Sequence, residues 1–179
     1  MSEGIELPEH HSGHEDNPYT LPVSVTISIL AVLVAAATLL GHRAHTEELL
    51  LQSQATDQWA YYQAKNIRLH EVQAVADMLG ALAPQDKDKT AALREKYSKE
   101  SERYSGEKED ISDKAKELEK ERDLVSHRAD RFDGGEALLE VGLVICSITL
   151  LTKRRLFWFV GMFIGAAGVL LASTGLFLH

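Results

Sequence analysis

A run of twenty residues without a charged side chain, residues 21–40, constrains this chain more than any other feature. Twenty residues at the α-helical rise cover about 30 Å, the thickness of the hydrocarbon core of a bilayer. The region before the run holds five acidic residues and no Lys or Arg, whereas a secretory signal peptide begins with positive charge. The run therefore predicts a retained first transmembrane helix over residues 21–41, preceded by a mobile, acidic, His-rich tail over residues 1–20.

Two further apolar segments close the chain and predict a membrane hairpin. Residues 136–152 carry a single charge beyond their first residue, Glu140, and residues 156–178 carry none. The three basic residues between them, Lys153-Arg154-Arg155, are enough only for a tight turn. We therefore expect a second and a third transmembrane helix over these two ranges, with the chain termini on opposite sides of the membrane.

The charged residues are sorted into the region between the apolar segments. Residues 42–136 hold 16 of the 19 Lys and Arg and 21 of the 27 Asp and Glu. The first helix can continue out of the membrane until Pro84, which cannot donate a backbone hydrogen bond. A second helix is predicted from about Lys87 to Arg131, ended by Asp133-Gly134-Gly135. The fold class is therefore an all-α membrane protein with a long antiparallel helical hairpin over residues 42–135 and its tip near residues 83–86.

An apolar residue recurs at every seventh position of the second hairpin helix, which is half of a coiled-coil seam. The series is Tyr97, Tyr104, Ile111, Leu118, Val125 and Phe132. The other half of the seam is mostly polar, at Glu100, Glu107 and Glu121. A turn at Pro84 would place Tyr104 near Asn66 or Ile67, and Leu118 near Leu51. Two interpretations of so thin a seam stay open: a solvated spacer, or a seam completed by other subunits.

Small residues at helical spacing lie on one face of the first and of the third predicted membrane helix. Such faces allow close helix packing in lipid. The candidates are Ser24, Ser28, Ala31 and Ala35 on the first helix, and Gly161, Gly165, Gly168, Ala172 and Gly175 on the third. The faces either close the three-helix bundle internally or join copies of the chain.

Glu140 is the one acidic residue well inside a predicted membrane helix. A carboxylate there is costly, so we expect it to lie near the interface, to be protonated or to be paired. The alternative is a functional role, in which a ring of Glu140 side chains in an oligomer forms an ion path.

The histidines are weak candidates for a metal site. His10, His11 and His14 lie beside acidic residues in the tail, and His42 and His45 follow the first predicted membrane helix, with Glu48 on the same face. Imidazole and carboxylate groups suit divalent transition metals. We nevertheless expect no metal and no other cofactor, because a mobile tail and an interfacial helix face hold metal poorly.

Signatures of catalysis and of nucleic-acid binding are absent from the sequence. It contains no phosphate-binding loop, dinucleotide-binding fingerprint, zinc-protease motif or nucleophile elbow. Cys146 is predicted to be a small apolar filler within a membrane helix. The net charge of −8 without a basic block makes nucleic acid an unexpected partner. The sequence therefore favours a non-enzymatic protein that contacts the lipid bilayer and associates either with further copies of itself or with another membrane complex.

Two stretches carry a family resemblance. The string ATDQWAYYQAKNIRLH at residues 55–70 resembles a bacterial three-span family of unknown function, domain of unknown function 4337. Residues 134–168 are similar to the membrane hairpin of that family. The resemblance implies a bacterial protein with three membrane spans around a helical hairpin, and it supplies no catalytic residue.

These features predict a membrane scaffold or accessory protein, either a homo-oligomer or a subunit of a larger complex. The short basic turn favours the cytoplasmic side, which puts the N-terminus in the cytoplasm and the hairpin outside the bacterial inner membrane. Two alternatives are an ion-conducting oligomer that uses Glu140 and an insertase-like membrane chaperone. The second rests on the order of one span, a coiled-coil hairpin and two spans, and it requires a cytosolic hairpin.

Overall fold

The computed structural model describes residues 19–81 and 87–178, and these residues form three helices. Helix α1 comprises Thr20–Ala81, α2 comprises Lys87–Thr152, and α3 comprises Arg155–Leu176. The all-α class predicted from the sequence is confirmed. The candidates His10, His11 and His14 and the predicted hairpin tip lie outside the described residues.

Helix α2 does not end where the sequence predicts. It is one helix of 66 residues, about 99 Å long at the α-helical rise, and it runs through Gly134 and Gly135 without a break. A glycine costs a helix about 1 kcal/mol relative to alanine, which a long packed helix tolerates. Gly135 lies against α3, and a Cβ there would come within 2.6 Å of the Cβ of Ala172. The two glycines therefore serve helix packing rather than a turn.

Helix α1 is also continuous, as the absence of proline after its first turn predicts. Its 62 residues span about 93 Å, so the apolar first third and the charged remainder form a single rod. Helix α1 packs antiparallel to α2, and α3 packs along the C-terminal third of α2. The described part of the chain is thus a two-helix hairpin that becomes a three-helix bundle at one end.

The apolar segments of the three helices lie side by side. Gly161 near the start of α3 faces Cys146 of α2, and Gly175 near its end faces Phe132. The segment of α2 in the bundle therefore extends to Phe132, one helical turn beyond the predicted start at residue 136. All three helices are long enough and apolar enough to cross a membrane by length and composition.

A single seven-residue seam holds the bundle and the hairpin together. The series predicted on α2 continues past Phe132 to Leu139 and Cys146, both of which are buried. Leu139 and Cys146 form one core cluster with Leu30 and Ala37 of α1. A second cluster joins Ala44 to residues of α2 at the point where α3 ends, and its α2 members are Val125, Ala129 and Phe132.

The antiparallel register differs from the predicted one by about one helical turn. The prediction places Tyr104 beside Asn66, but Asn66 accepts a hydrogen bond from Lys108 instead. It places Leu118 beside Leu51, but the neighbouring Gln52 accepts from Arg122. A shift of one turn brings the same helix faces together, so apolar periodicity alone does not distinguish the two registers.

Candidate functional site

Helix α1 presents a polar side chain to α2 at every seventh residue, and we call this series the polar ladder. Each of its six members has a hydrogen-bond partner on α2. The pairs are Thr38–Glu136 (2.5 Å), His45–Asp133 (2.9 Å), Gln52–Arg122 (2.6 Å), Trp59–Glu119 (2.8 Å), Asn66–Lys108 (3.0 Å) and Gln73–Ser101 (3.4 Å). The polar ladder selects one register, because sliding one helix along the other would break all six bonds together.

An ion pair between α1 and α2 and an edge-on pair of aromatic rings on α1 accompany the polar ladder in the middle of the hairpin. Lys65 Nζ lies 2.5 Å from Glu107 Oε2, and it also lies 5.2 Å from the ring centroid of Tyr104. The bond to Glu107 raises the pKa of the Lys65 ammonium, and the same bond lowers the pKa of the Glu107 carboxyl. Trp59 packs edge-on against Tyr62 at 5.5 Å. The thin apolar seam predicted from the sequence is therefore supplemented by polar and aromatic contacts.

A histidine with two carboxylates lies where the bundle passes into the hairpin. His45 Nε2 lies 2.9 Å from Asp133 Oδ2, and its Nδ1 lies 3.3 Å from Glu48 Oε2. The bond to Asp133 raises the pKa of His45, and Glu48 acts in the same direction. Gly41 lies one turn away, and a Cβ there would meet Asp133 Oδ1 at 3.0 Å. The cluster is a cross-link between α1 and α2 whose strength depends on the protonation of His45.

The predicted metal candidates do not converge within the described part of the chain. Glu48 and His45 come together, whereas His42 is exposed on α1. Among residues 19–81 and 87–178 no group of three His, Cys, Asp or Glu side chains could hold a metal ion.

Glu140 is exposed at the level of the apolar residues of α3. The backbone of its neighbour Leu139 faces Gly168, which lies eight residues before the end of α3 at Leu176. That separation corresponds to about 12 Å along the helix axis. Glu140 therefore lies alongside the apolar segment, and the Thr38–Glu136 bond lies one turn nearer its end.

The two predicted small-residue faces have different surroundings. On α3, Gly161, Gly165, Gly168 and Gly175 are buried against α2 and α1, and Ala172 is half-buried. On α1, Ser28, Ala31 and Ala35 are exposed and Ser24 is half-buried. The glycine face is thus occupied within the chain, and the α1 face lies on its surface.

The glycines of α2 that meet α3 were not singled out from the sequence. A Cβ on Gly142 would lie 2.8 Å from the carbonyl oxygen of Gly161 and 2.9 Å from the backbone nitrogen of Gly165. The available signal was the seven-residue spacing of Gly135 and Gly142, in step with the apolar seam.

Comparison with known proteins identifies a family. A family model described as Domain of unknown function (DUF4337) matches residues 20–178. No curated protein and no solved structure matches the chain. The matched range contains all three helices and the whole polar ladder.

Proposed function

This chain belongs to the Domain of unknown function (DUF4337) family, and from its own geometry we propose a non-enzymatic membrane scaffold that assembles through its hairpin. The three apolar segments cross the bilayer, and the long hairpin projects from it. The hairpin associates with other copies of the chain or with a larger membrane complex.

Membrane insertion is supported by the apolar side chains that surround the bundle. Large apolar residues remain exposed on all three helices there, including Leu21, Val32, Leu151, Phe163 and Leu170. In lipid these side chains lie in a favourable solvent, whereas in water they would form a large apolar patch. The basic turn between α2 and α3 then faces the cytoplasm of a bacterial inner membrane, and the hairpin lies outside.

One observation carries the proposal of assembly: an apolar stripe on α1 outside the bundle. Leu49, Ile67 and Met78 are 70%, 59% and 68% exposed. They are separated by 18 and 11 residues, which correspond to about five and three turns, so they share one helix face. Single exposed apolar residues are ordinary, but three on one face of a charged rod, about 27 Å and 17 Å apart, offer a partner helix separate points of contact.

The mass of the purified protein in mild detergent tests this proposal. We expect a species well above the 19.8 kDa monomer, or a stable complex with a second chain. Changing Ile67 and Met78 together to Glu would place two charges on the stripe and should return the protein to the monomer. Leu93→Glu is the matched control, because Leu93 is exposed on α2 outside the stripe. A monomeric wild-type protein without a co-purifying chain would refute assembly.

The exposure of Glu140 favours a second candidate, an oligomer that conducts ions. An exposed carboxylate at that depth in lipid needs a polar surrounding, which a pore between subunits would supply. Glu140→Gln should then lower ion flux into vesicles that contain the protein. Equal flux through wild-type and variant vesicles would exclude this role.

A further inference from the structure

Three helix ends meet at the basic turn and enclose a small cavity. The start of α1, the end of α2 and the start of α3 surround a volume of about 80 Å³, lined by Tyr19, Thr20, Thr149, Lys153 and Arg155 among others. The Arg155 guanidinium stacks on Tyr19 with its carbon 3.5 Å from the ring centroid. This contact joins α3 to α1 and holds a cation at the cavity wall.

Two of the three helix ends at the cavity, the starts of α1 and α3, favour an anion, whereas the end of α2 contributes backbone carbonyl groups, of which that of Thr149 accepts from the Lys153 N–H. Helices α1 and α3 both begin there, and neither has an acidic residue in its first turn. The N-cap residue of α3, Arg154, makes no side-chain hydrogen bond to the helix. The first N–H groups of a helix lack partners within it and carry partial positive charge, which suits phosphate and carboxylate groups.

A buried hydroxyl at the cavity gives an independent indication of a ligand. Thr149 lines the cavity and is only 6% exposed. Its Oγ1 has no hydrogen-bond partner among the described residues. A buried hydroxyl without a partner is costly and uncommon, and an anion in the cavity would give it an acceptor.

We infer that this cavity binds the phosphate group of an anionic phospholipid. Exposed leucines flank the turn, at Leu21, Leu151 and Leu156, where acyl chains would continue from a bound headgroup. The inference rests on the membrane placement proposed above and assigns the site to the leaflet that faces the basic turn.

Lipid-dependent thermal stability of the full chain in mild detergent tests this site. Dioleoylphosphatidylglycerol should raise the unfolding temperature, and dioleoylphosphatidylcholine should raise it much less. Arg155→Gln should weaken the apparent affinity for phosphatidylglycerol by about tenfold, because it removes a charge-assisted contact. Arg154→Gln is the matched control: it removes the same charge from a residue that does not line the cavity, and it should weaken binding less than threefold.

Thr149→Val is a second test, which also applies if Arg155→Gln fails to fold. It keeps the shape of the side chain and removes only the hydroxyl, so a loss of binding would identify the hydroxyl as a ligand contact. We expect several-fold weaker binding of phosphatidylglycerol by this variant. Inorganic phosphate distinguishes the source of the ligand: stabilisation by phosphate as strong as that by lipid would assign the cavity to a free ion. Equal stabilisation by the two lipids, or equal losses in both arginine variants, would overturn the site.

The same samples show whether the proposed assembly fails independently. A monomeric protein that is stabilised more by phosphatidylglycerol than by phosphatidylcholine would refute the proposed assembly and support the lipid site. A chain that stays soluble and folded without detergent would refute the proposed membrane placement and, with it, the lipid site.

Discussion

At Gly142 the helices α2 and α3 approach each other backbone to backbone. A Cβ there would meet backbone atoms of Gly161 and Gly165 at 2.8–2.9 Å, and backbone cannot rotate away as a side chain can. At Gly165 the nearest contact is instead the flexible end of Leu30, at 2.7 Å. Small residues at a helix interface are therefore not equivalent, and their importance depends on what the missing Cβ would touch.

We predict that Gly142→Ala destabilises the protein by about 1–3 kcal/mol, the usual cost of overpacking, and that Gly165→Ala costs less. Gly106→Ala is the control, because a Cβ at this helical position has nothing within 4 Å. It should stabilise the chain by up to about 1 kcal/mol through helix propensity. Thermal unfolding in detergent measures all three. A Gly142→Ala protein as stable as the wild type would show that the two helices separate easily.

For the interface between α2 and α3, the sequence predicted the glycines on α3 but not those on α2. The glycine face of the third helix can be recognised in the sequence, since Gly161, Gly165, Gly168 and Gly175 follow helical spacing in an uncharged segment. Gly135 adjoins Asp133 and Gly134, a combination that usually ends a helix. Its role depends on a neighbour, Ala172, that is 37 residues away in the chain, and local periodicity contains no such information.

At the scale of elements, the contact between α1 and α2 at His45 should make stability depend on pH. The folded protein raises the pKa of His45 above its ordinary value of about 6.5. Protonated His45 therefore stabilises the fold below that value, and the contribution is lost as the pH rises through the raised pKa. Both partners are about half exposed, so the effect is at most about 1 kcal/mol.

The measurement is the unfolding temperature between about pH 5.5 and pH 8, compared with His45→Gln. The wild type should lose stability relative to this variant as the pH rises. Asp133→Asn should reduce the difference, because it removes the larger cause of the pKa shift. Parallel pH curves for the wild type and His45→Gln would rule out the cross-link as a source of pH dependence.

The hairpin without its bundle should be poorly stable. Residues 46–132 bury few apolar side chains, among them Leu69, Tyr104 and Ile111. Ordering each residue costs about 1–2 kcal/mol of conformational entropy, which such a thin seam offsets poorly. We expect this fragment to be partly helical or to self-associate, by circular dichroism and sedimentation. A monomeric and fully helical fragment would contradict this.

The sequence predicted that the hairpin is helical and where its apolar seam lies, but it predicted neither the continuation of α2 past Arg131 nor the register of the two helices. Helical periodicity follows from local spacing, so Tyr104, Ile111 and Phe132 were assigned to one face correctly. The register depends on pairs such as Asn66–Lys108 and Gln52–Arg122. Those side chains look like ordinary surface residues until the polar series on α1 is aligned with its partners on α2.

At the scale of the whole molecule, the orientation in the membrane separates the remaining functions. We predict that a reporter inserted at Pro84 is active only outside the cytoplasm, because the proposed topology keeps the short basic turn inside. A single cysteine introduced at Pro84, in a background with Cys146→Ala, should likewise react with an impermeant reagent from the outer side. A cytoplasmic Pro84 would reverse the orientation and favour the insertase-like alternative.

The unbroken course of α1 and α2 has a mechanical consequence. Neither helix contains a hinge where it leaves the bundle, so in the membrane placement proposed above the hairpin keeps the angle that the helices have in the bilayer. From residue 42 to Ala81 the rod extends about 60 Å, and a 10° change of tilt would move its far end sideways by about 10 Å. Helices adjust their tilt to the thickness of the surrounding lipid. The distance between the far ends of neighbouring hairpins would therefore vary with membrane thickness. A partner that binds two far ends would be sensitive to the lipid composition through that distance.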